Sequence, residues 1–396
     1  MISRTLLLKL PFLLEGSKKA AREQVVSHYR TLDSMRELDA TLWHYSRVAT
    51  YAALEALFVY NAEHRLDTEE AKDIAGLSRN FAIASSMKDE WLDEIYVKRY
   101  LARDLEKINE ETIRNNLADV TWRPDILENP MKIAVKKPKK ILGKRIGEEI
   151  RIFDHEVYFN APHILLSFLS NAVLERSEEA YDALQTYKAK MESHQAKDMA
   201  IGAYLVRGEG EKALQTLGTC EYKVAIDKCR ELLNKLGTMG GALPVIAHRI
   251  SCQSQEHSDI DHLLYSLGSS IVNAGQLLFD DVPNCVKDWE EGNPNMIILP
   301  AMTLAPDYKI KNREQLGLIL YKNNTILSEL LGELSEVFHY AAEELDTRHF
   351  AGDEAKYIIK KETRRGVEQI RKLGRSLGVE FDEGWYKAAK EMQSKW

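Results

Sequence analysis

Apolar residues recur at intervals of three and four over long stretches of this chain, at residues 42–60, 163–174, 224–236, 316–345 and 357–377. That spacing lays one apolar stripe along a helix. Residues that would interrupt it are scarce, with 10 prolines and 21 glycines in 396 residues. No series of alternating strands stands out. The fold is therefore expected to be all-α, a large single helical bundle. An N-terminal helical segment over 1–40 precedes the main helical domain at 41–396.

One segment departs from the pattern. At about 105–159 lie Arg123-Pro124, Asn129-Pro130, the run Lys136-Lys137-Pro138-Lys139-Lys140, and Lys144-Arg145. It reads as an irregular basic insertion with some extended structure, either a solvated excursion or a phosphate-attracting lid.

The net charge of -7 argues against nucleic acid as the main partner. Cys220, Cys229, Cys252 and Cys285 form no CxxC pair, so reduced thiols in a cytoplasmic protein are expected. Residues 1–14 are apolar but broken by Arg4, Lys9 and Pro11, which excludes a transmembrane segment there and leaves room for peripheral membrane contact.

Two acidic clusters carry the chemistry: Asp89-Glu90-Trp91-Leu92-Asp93 and Asp280-Asp281-Val282-Pro283-Asn284, the second extending to Asp288. Acids four residues apart share a helix face, so Asp280, Asn284 and Asp288 form a row of oxygen donors. With 61 acidic residues such spacing also arises elsewhere, as in Glu69-Glu70-Ala71-Lys72-Asp73 and Glu178-Glu179-Ala180-Tyr181-Asp182. Context distinguishes the first pair. Each follows a small and apolar run, Asn80 to Met87 and Ala274 to Phe279, and acids ending an apolar helix are costly to desolvate without a cation. Magnesium suits them, since it binds one or two carboxylates together with substrate phosphates.

Further segments in order complete a resemblance to a class I isoprenoid synthase, the superfamily of trans-polyprenyl diphosphate synthases and class I terpene cyclases. DEWLD resembles the first metal motif, DDxxD, and Lys98-Arg99 the basic pair that follows it. Residues 160–168 resemble the GDALL helix, His194-Gln195-Ala196-Lys197-Asp198-Met199 the GQxxDL segment, and Lys235-Leu236-Gly237-Thr238 the Lys-Thr helix. Gln276 with Asp280-Asp281 is similar to the FQxxDD region, which ends in Leu299-Pro300.

The resemblance implies a central apolar cavity and several Mg2+ ions held by Asp89, Glu90, Asp93, Asp280, Asp281, Asn284 and Asp288. It implies diphosphate contacts from Lys98, Arg99, Lys235 and Lys287, joined by Arg364 and Arg365. Arg47, Phe81, Gln195, Thr238, Gln276 and Phe279 would bind substrate, a prenyl diphosphate. Aromatic rings of Phe81, Trp91, Phe168 and Phe279 would face the allylic cation. A homodimer is the family's common state.

Departures choose between branches. Around Trp43-His44-Tyr45-Ser46-Arg47 the isopentenyl diphosphate site is reduced to Arg47. The stretch from Asp280 to Asp288 reads as the cyclase pattern NDxxSxxKE, with Asn284 and Asp288 replacing Ser and Glu, and Pro283 inside it. Cyclisation or diphosphate elimination is the favoured outcome. Chain elongation with isopentenyl diphosphate is the alternative, and a non-catalytic prenyl-lipid-binding or partner subunit is the reading from another class.

Overall fold

The computed structural model describes residues 84, 88–89, 92–98, 101–118, 133–141, 144–153, 169–251, 258–323, 325–326, 329–330, 336, 340, 343–344 and 371–378. Helices dominate them: α1 (Glu110–Ala118), α2 (Glu178–Val206), α3 (Gly210–Leu217), α4 (Tyr222–Ser251), α5 (Ser258–Gln276), α6 (Val282–Glu291), α7 (Ile298–Thr303) and α8 (Arg313–Lys322). The N-terminal segment 1–40 and the periodic stretch 42–60 lie outside the described residues.

The extended structure expected in the insertion is an antiparallel hairpin, β1 (Ile133–Ile141) with β2 (Lys144–Phe153). Its register runs from Ile133 opposite Phe153 to Ile141 opposite Lys144, with a shift between Pro138 and Lys139. Gly147 is the residue left over at that shift, next to Glu148, which pairs with Pro138, a residue that has no N–H for a ladder. The same basic segment opens on a helix, α1, which packs against α2.

Three long helices position the site. Arg249 of α4 donates to the Glu179 carbonyl at the start of α2, at 3.1 Å. Farther along, Lys235 of α4 meets Asp198 near the other end of α2, so the two helices run antiparallel. α5 is antiparallel to α4 in turn, joined by Arg249 to Asp261 at one end and Asn234 to Asn273 at the other. Tyr187 and Lys190 of α2 reach Tyr265 of α5, the two rings stacked at 5.2 Å and the ammonium 2.9 Å from the hydroxyl.

The expected periodicity at 224–236 holds: Ala225, Ile226, Cys229, Leu232 and Leu233 are buried along one face of α4. They join Leu214, Leu277, Val282, Leu299, Leu316 and Leu320 in one core. α4 and α5 approach closely through glycines. Pro244 leaves the Gly240 carbonyl without its usual donor four residues on. Gly268 lies against that same carbonyl, and a Cβ there would overlap it.

Helix ends follow local chemistry. The Ser177 hydroxyl accepts from the Ala180 N–H at 3.1 Å, and Glu178 and Glu179 fill the first turn of α2. The acidic run at 178–182 thus sits at a helix N-terminus, where acids complement the dipole. Among the described residues no helix is long and apolar enough to cross a membrane. Cys220, Cys229 and Cys285 are free.

Candidate active site

Both acidic clusters sit at π-helical turns, Leu92–Val97 and Leu277–Asp281. In the second, the Val282 N–H bonds to the Leu277 carbonyl, five residues back. A π turn holds one extra residue, so the side chains beyond it are rotated by about 100° from an unbroken helix. The α-helix resumes at Val282, which puts Pro283 in its first turn. The proline has no N–H to continue the ladder, and the switch from π to α hydrogen bonding falls directly before it. The interruption expected from Pro283 therefore falls at the junction of the π turn and α6.

Lys235 is the centre of the site. Its Nζ stands 2.8 Å from Asp198 Oδ2 and 2.9 Å from Asp89 Oδ1, with 9 % of its side chain exposed. Burial alone would push the ammonium down, but Asp198, Asp89 and Asp93 outweigh it and hold the proton well above the lysine range. One ammonium does not offset that many carboxylates. Burial raises the Asp198 carboxyl; Lys235 opposes the rise and Asp89 adds to it.

The second cluster faces the first. Asp280 is accessible to solvent, yet protein surrounds it closely enough that desolvation raises its carboxyl, with Asp89 the next cause; Asn284, Lys235 and Lys287 oppose it. Its neighbour Asp281 is buried and pushed well up by burial, then by Asp280, Asp288 and Asp198. Burial likewise carries Asp288 to about 6, against hydrogen bonds from Asn295 and Asn293.

The expected shared face is present at its first step, the Asn284 amide donating to Asp280 Oδ1 at 2.7 Å. Asn295, fully buried, fixes the rest. Its Nδ2 donates to the Asp281 carbonyl at 2.9 Å and to Asp288 Oδ2 at 2.8 Å, while its Oδ1 accepts from the Ile297 N–H at 3.0 Å.

The other predicted residues divide clearly. Lys98 donates to Glu291 Oε2 at 3.1 Å, and Lys287 lies 3.7 Å from the same oxygen. Gln195 is buried with its Nε2 unpartnered. Thr238 Oγ1 is 3.2 Å from the Tyr265 hydroxyl. Gln276 ends α5 with a buried, unpartnered Oε1. Phe279 falls in the second π turn. Arg47, Phe81, Glu90, Trp91, Arg99, Phe168, Arg364 and Arg365 lie outside the described residues.

Three contributors escaped the sequence. Lys88, half-buried beside Asp89, pairs with Glu192 of α2 at 3.5 Å and ties the first cluster to that helix. Asn295 and Glu291 sit in the Glu290 to Asn295 stretch, whose signal was a run of polar groups directly after the second cluster.

Among the described residues no three His, Cys, Asp or Glu side chains stand close enough to hold one ion. Asp89 and Asp198 converge on Lys235 instead. The donor chemistry nonetheless fits a hard cation. Asp281 Oδ2 and Gln276 Oε1 are buried without a hydrogen-bond donor. Asp89 Oδ1 meets Lys235 as an ion pair without a directed hydrogen bond. All are oxygens, amid more negative charge than the lysines balance. No family model, curated protein or solved structure matches the chain, so the site is defined by its own residues.

Proposed function

We propose that this protein is a Mg2+-dependent isoprenoid synthase that ionises an allylic prenyl diphosphate, with cyclisation or diphosphate elimination as the outcome. One observation carries the reading. Two acidic clusters about 190 residues apart in sequence come together around one buried lysine: Asp89 stands 2.9 Å from Lys235 Nζ, and Asp89 and Lys235 both bear on the Asp280 carboxyl, in opposite senses.

Asp89, Asp93, Asp280, Asp281, Asn284 and Asp288 would hold the metal, with Glu90 completing the first motif. Bound Mg2+ supplies charge neutralisation on the departing diphosphate. Lys235 adds a fixed positive charge held by burial and carboxylates, so little reorganisation is needed as the leaving group becomes more negative. Lys98 and Lys287 bring ammonium groups from the two motifs. Gln195 offers an unpartnered N–H, and Thr238 and Gln276 offer oxygens. The allylic cation left behind needs a dry apolar chamber, which is the central cavity expected of this fold type.

Incubation with Mg2+ and C10 to C20 allylic diphosphates, with and without isopentenyl diphosphate, followed by mass spectrometry, tests the proposal. Hydrocarbon or alcohol formed without isopentenyl diphosphate is the expected result. Longer diphosphates formed only in its presence would replace cyclisation with elongation. No turnover in either arm would leave a non-catalytic prenyl-binding protein.

A further inference from the structure

Glu291 is the last residue of α6, a poor position for an acid, because the carbonyl end of a helix repels negative charge. Gly292 follows it at φ 73 and turns the chain back, with the Asn293 N–H bonded to the Asp288 carbonyl at 2.9 Å. The side chain is thereby held where two hydrogen bonds and one ion pair meet a single oxygen. Lys98 Nζ lies 3.1 Å from Glu291 Oε2, Asn293 Nδ2 3.4 Å and Lys287 Nζ 3.7 Å. Lys98 follows the first acidic motif and Lys287 lies inside the second, so this carboxylate joins the two. The same Asn293 amide also reaches Asp288 Oδ1 at 3.3 Å, which puts the cluster next to the acids of the site.

We propose that Glu291 is an internal competitor: its carboxylate occupies the anion site formed by Lys98, Lys287 and Asn293, and a phosphoryl group of the substrate displaces it on binding. The inference rests on the function proposed above and adds a residue that the function does not assign. Two ammonium groups and an amide around one oxygen make a place for a phosphoryl oxygen, since lysines bind phosphate as point charges without fixed geometry. A diphosphate carries more charge than one carboxylate and would win the exchange. Glu291 has 38 % of its side chain exposed and Lys98 19 %, so the acid has room to swing away while the lysine stays at the site. The exchange sets the affinity below what the bare cations would give, which aids release of the diphosphate product.

Titration calorimetry of inorganic diphosphate in excess Mg2+ tests the exchange on wild type, Glu291→Gln and Glu290→Gln. Glu290 is the adjacent exposed acid and pairs with Arg313 instead, so its variant controls for net charge. Glu291→Gln should bind about two- to five-fold tighter, the range an exposed ion pair can hold back, with Glu290→Gln at wild-type affinity. If wild type binds and Glu291→Gln gains nothing, or Glu290→Gln gains equally, the exchange is overturned and the proposed function stands. If neither wild type nor Glu291→Gln binds diphosphate, both fall together.

Discussion

Lys235 Nζ and Asp198 Oδ2 stand 2.8 Å apart, on antiparallel helices and with 9 % and 6 % of their side chains exposed. Breaking a buried pair by removing one partner leaves an uncompensated charge, at about 3–5 kcal/mol. Lys235→Met should therefore destabilise the protein by that amount in urea unfolding. The double variant Lys235→Met/Asp198→Asn should recover part of the loss. A double variant no more stable than the single one would show that the pair is not the source.

The carboxylates give the protein a pH dependence of definite sign. Asp288 is raised from 3.8 to about 6, and Asp198, Asp280 and Asp281 are raised as well. A group with a raised folded pKa contributes stability that is fully present below its unfolded value and is lost as pH rises through its folded value. For Asp288 the window is from 3.8 to about 6. Stability in a chelator should thus fall between about pH 4 and pH 6 from Asp288, with Asp198, Asp280 and Asp281 adding a fall of the same sign as pH rises, and Mg2+ should restore it at pH 7. Thermal melts across that range, with and without Mg2+, measure both effects.

Asn295 uses its whole side chain inside the protein, two bonds from Nδ2 and one to Oδ1. Asn295→Ala leaves the Asp281 carbonyl, Asp288 and the Ile297 N–H short of partners, a loss of about 1–3 kcal/mol for the buried groups. It should also raise the Asp288 carboxyl further, because the bond from Asn295 is the largest of the influences that hold it down. NMR titration of the aspartate carboxyl signals would register the shift, which a packing defect alone would not cause.

Close helix packing is tested at Gly268. An alanine there meets the Gly240 carbonyl, which is backbone and cannot swing aside. Gly268→Ala should cost about 1–3 kcal/mol in thermal unfolding. Gly275→Ala, in the same helix with open space around it, should be neutral or slightly stabilising.

These contrasts show what the sequence makes legible. The stripe at 224–236 was readable because Ala225, Cys229 and Leu232 repeat at helical spacing whatever they pack against. The two acidic clusters were readable from the apolar runs before them, and the run at 178–182 is separated from them by Ser177, a local capping signal. The π turns were not readable, since a shift of hydrogen bond from four residues to five leaves no mark in composition. Asn295 and Glu291 acquire roles only through partners elsewhere in the chain. Extended structure in the insertion was legible, but its pairing as a hairpin at 133–153 was not, because Lys136-Lys137-Pro138-Lys139-Lys140 breaks the alternation that marks a strand.

The most direct test of the account is release of inorganic diphosphate from C10 to C20 allylic diphosphates, comparing wild type with Asp89→Ala and Asp280→Ala in Mg2+ and in chelator. The account predicts release by wild type in Mg2+ alone, and a loss of at least about a hundredfold in either variant, the scale of removing a group that stabilises developing charge, with helicity by circular dichroism retained. Release that persists in chelator, or in both variants, would contradict it.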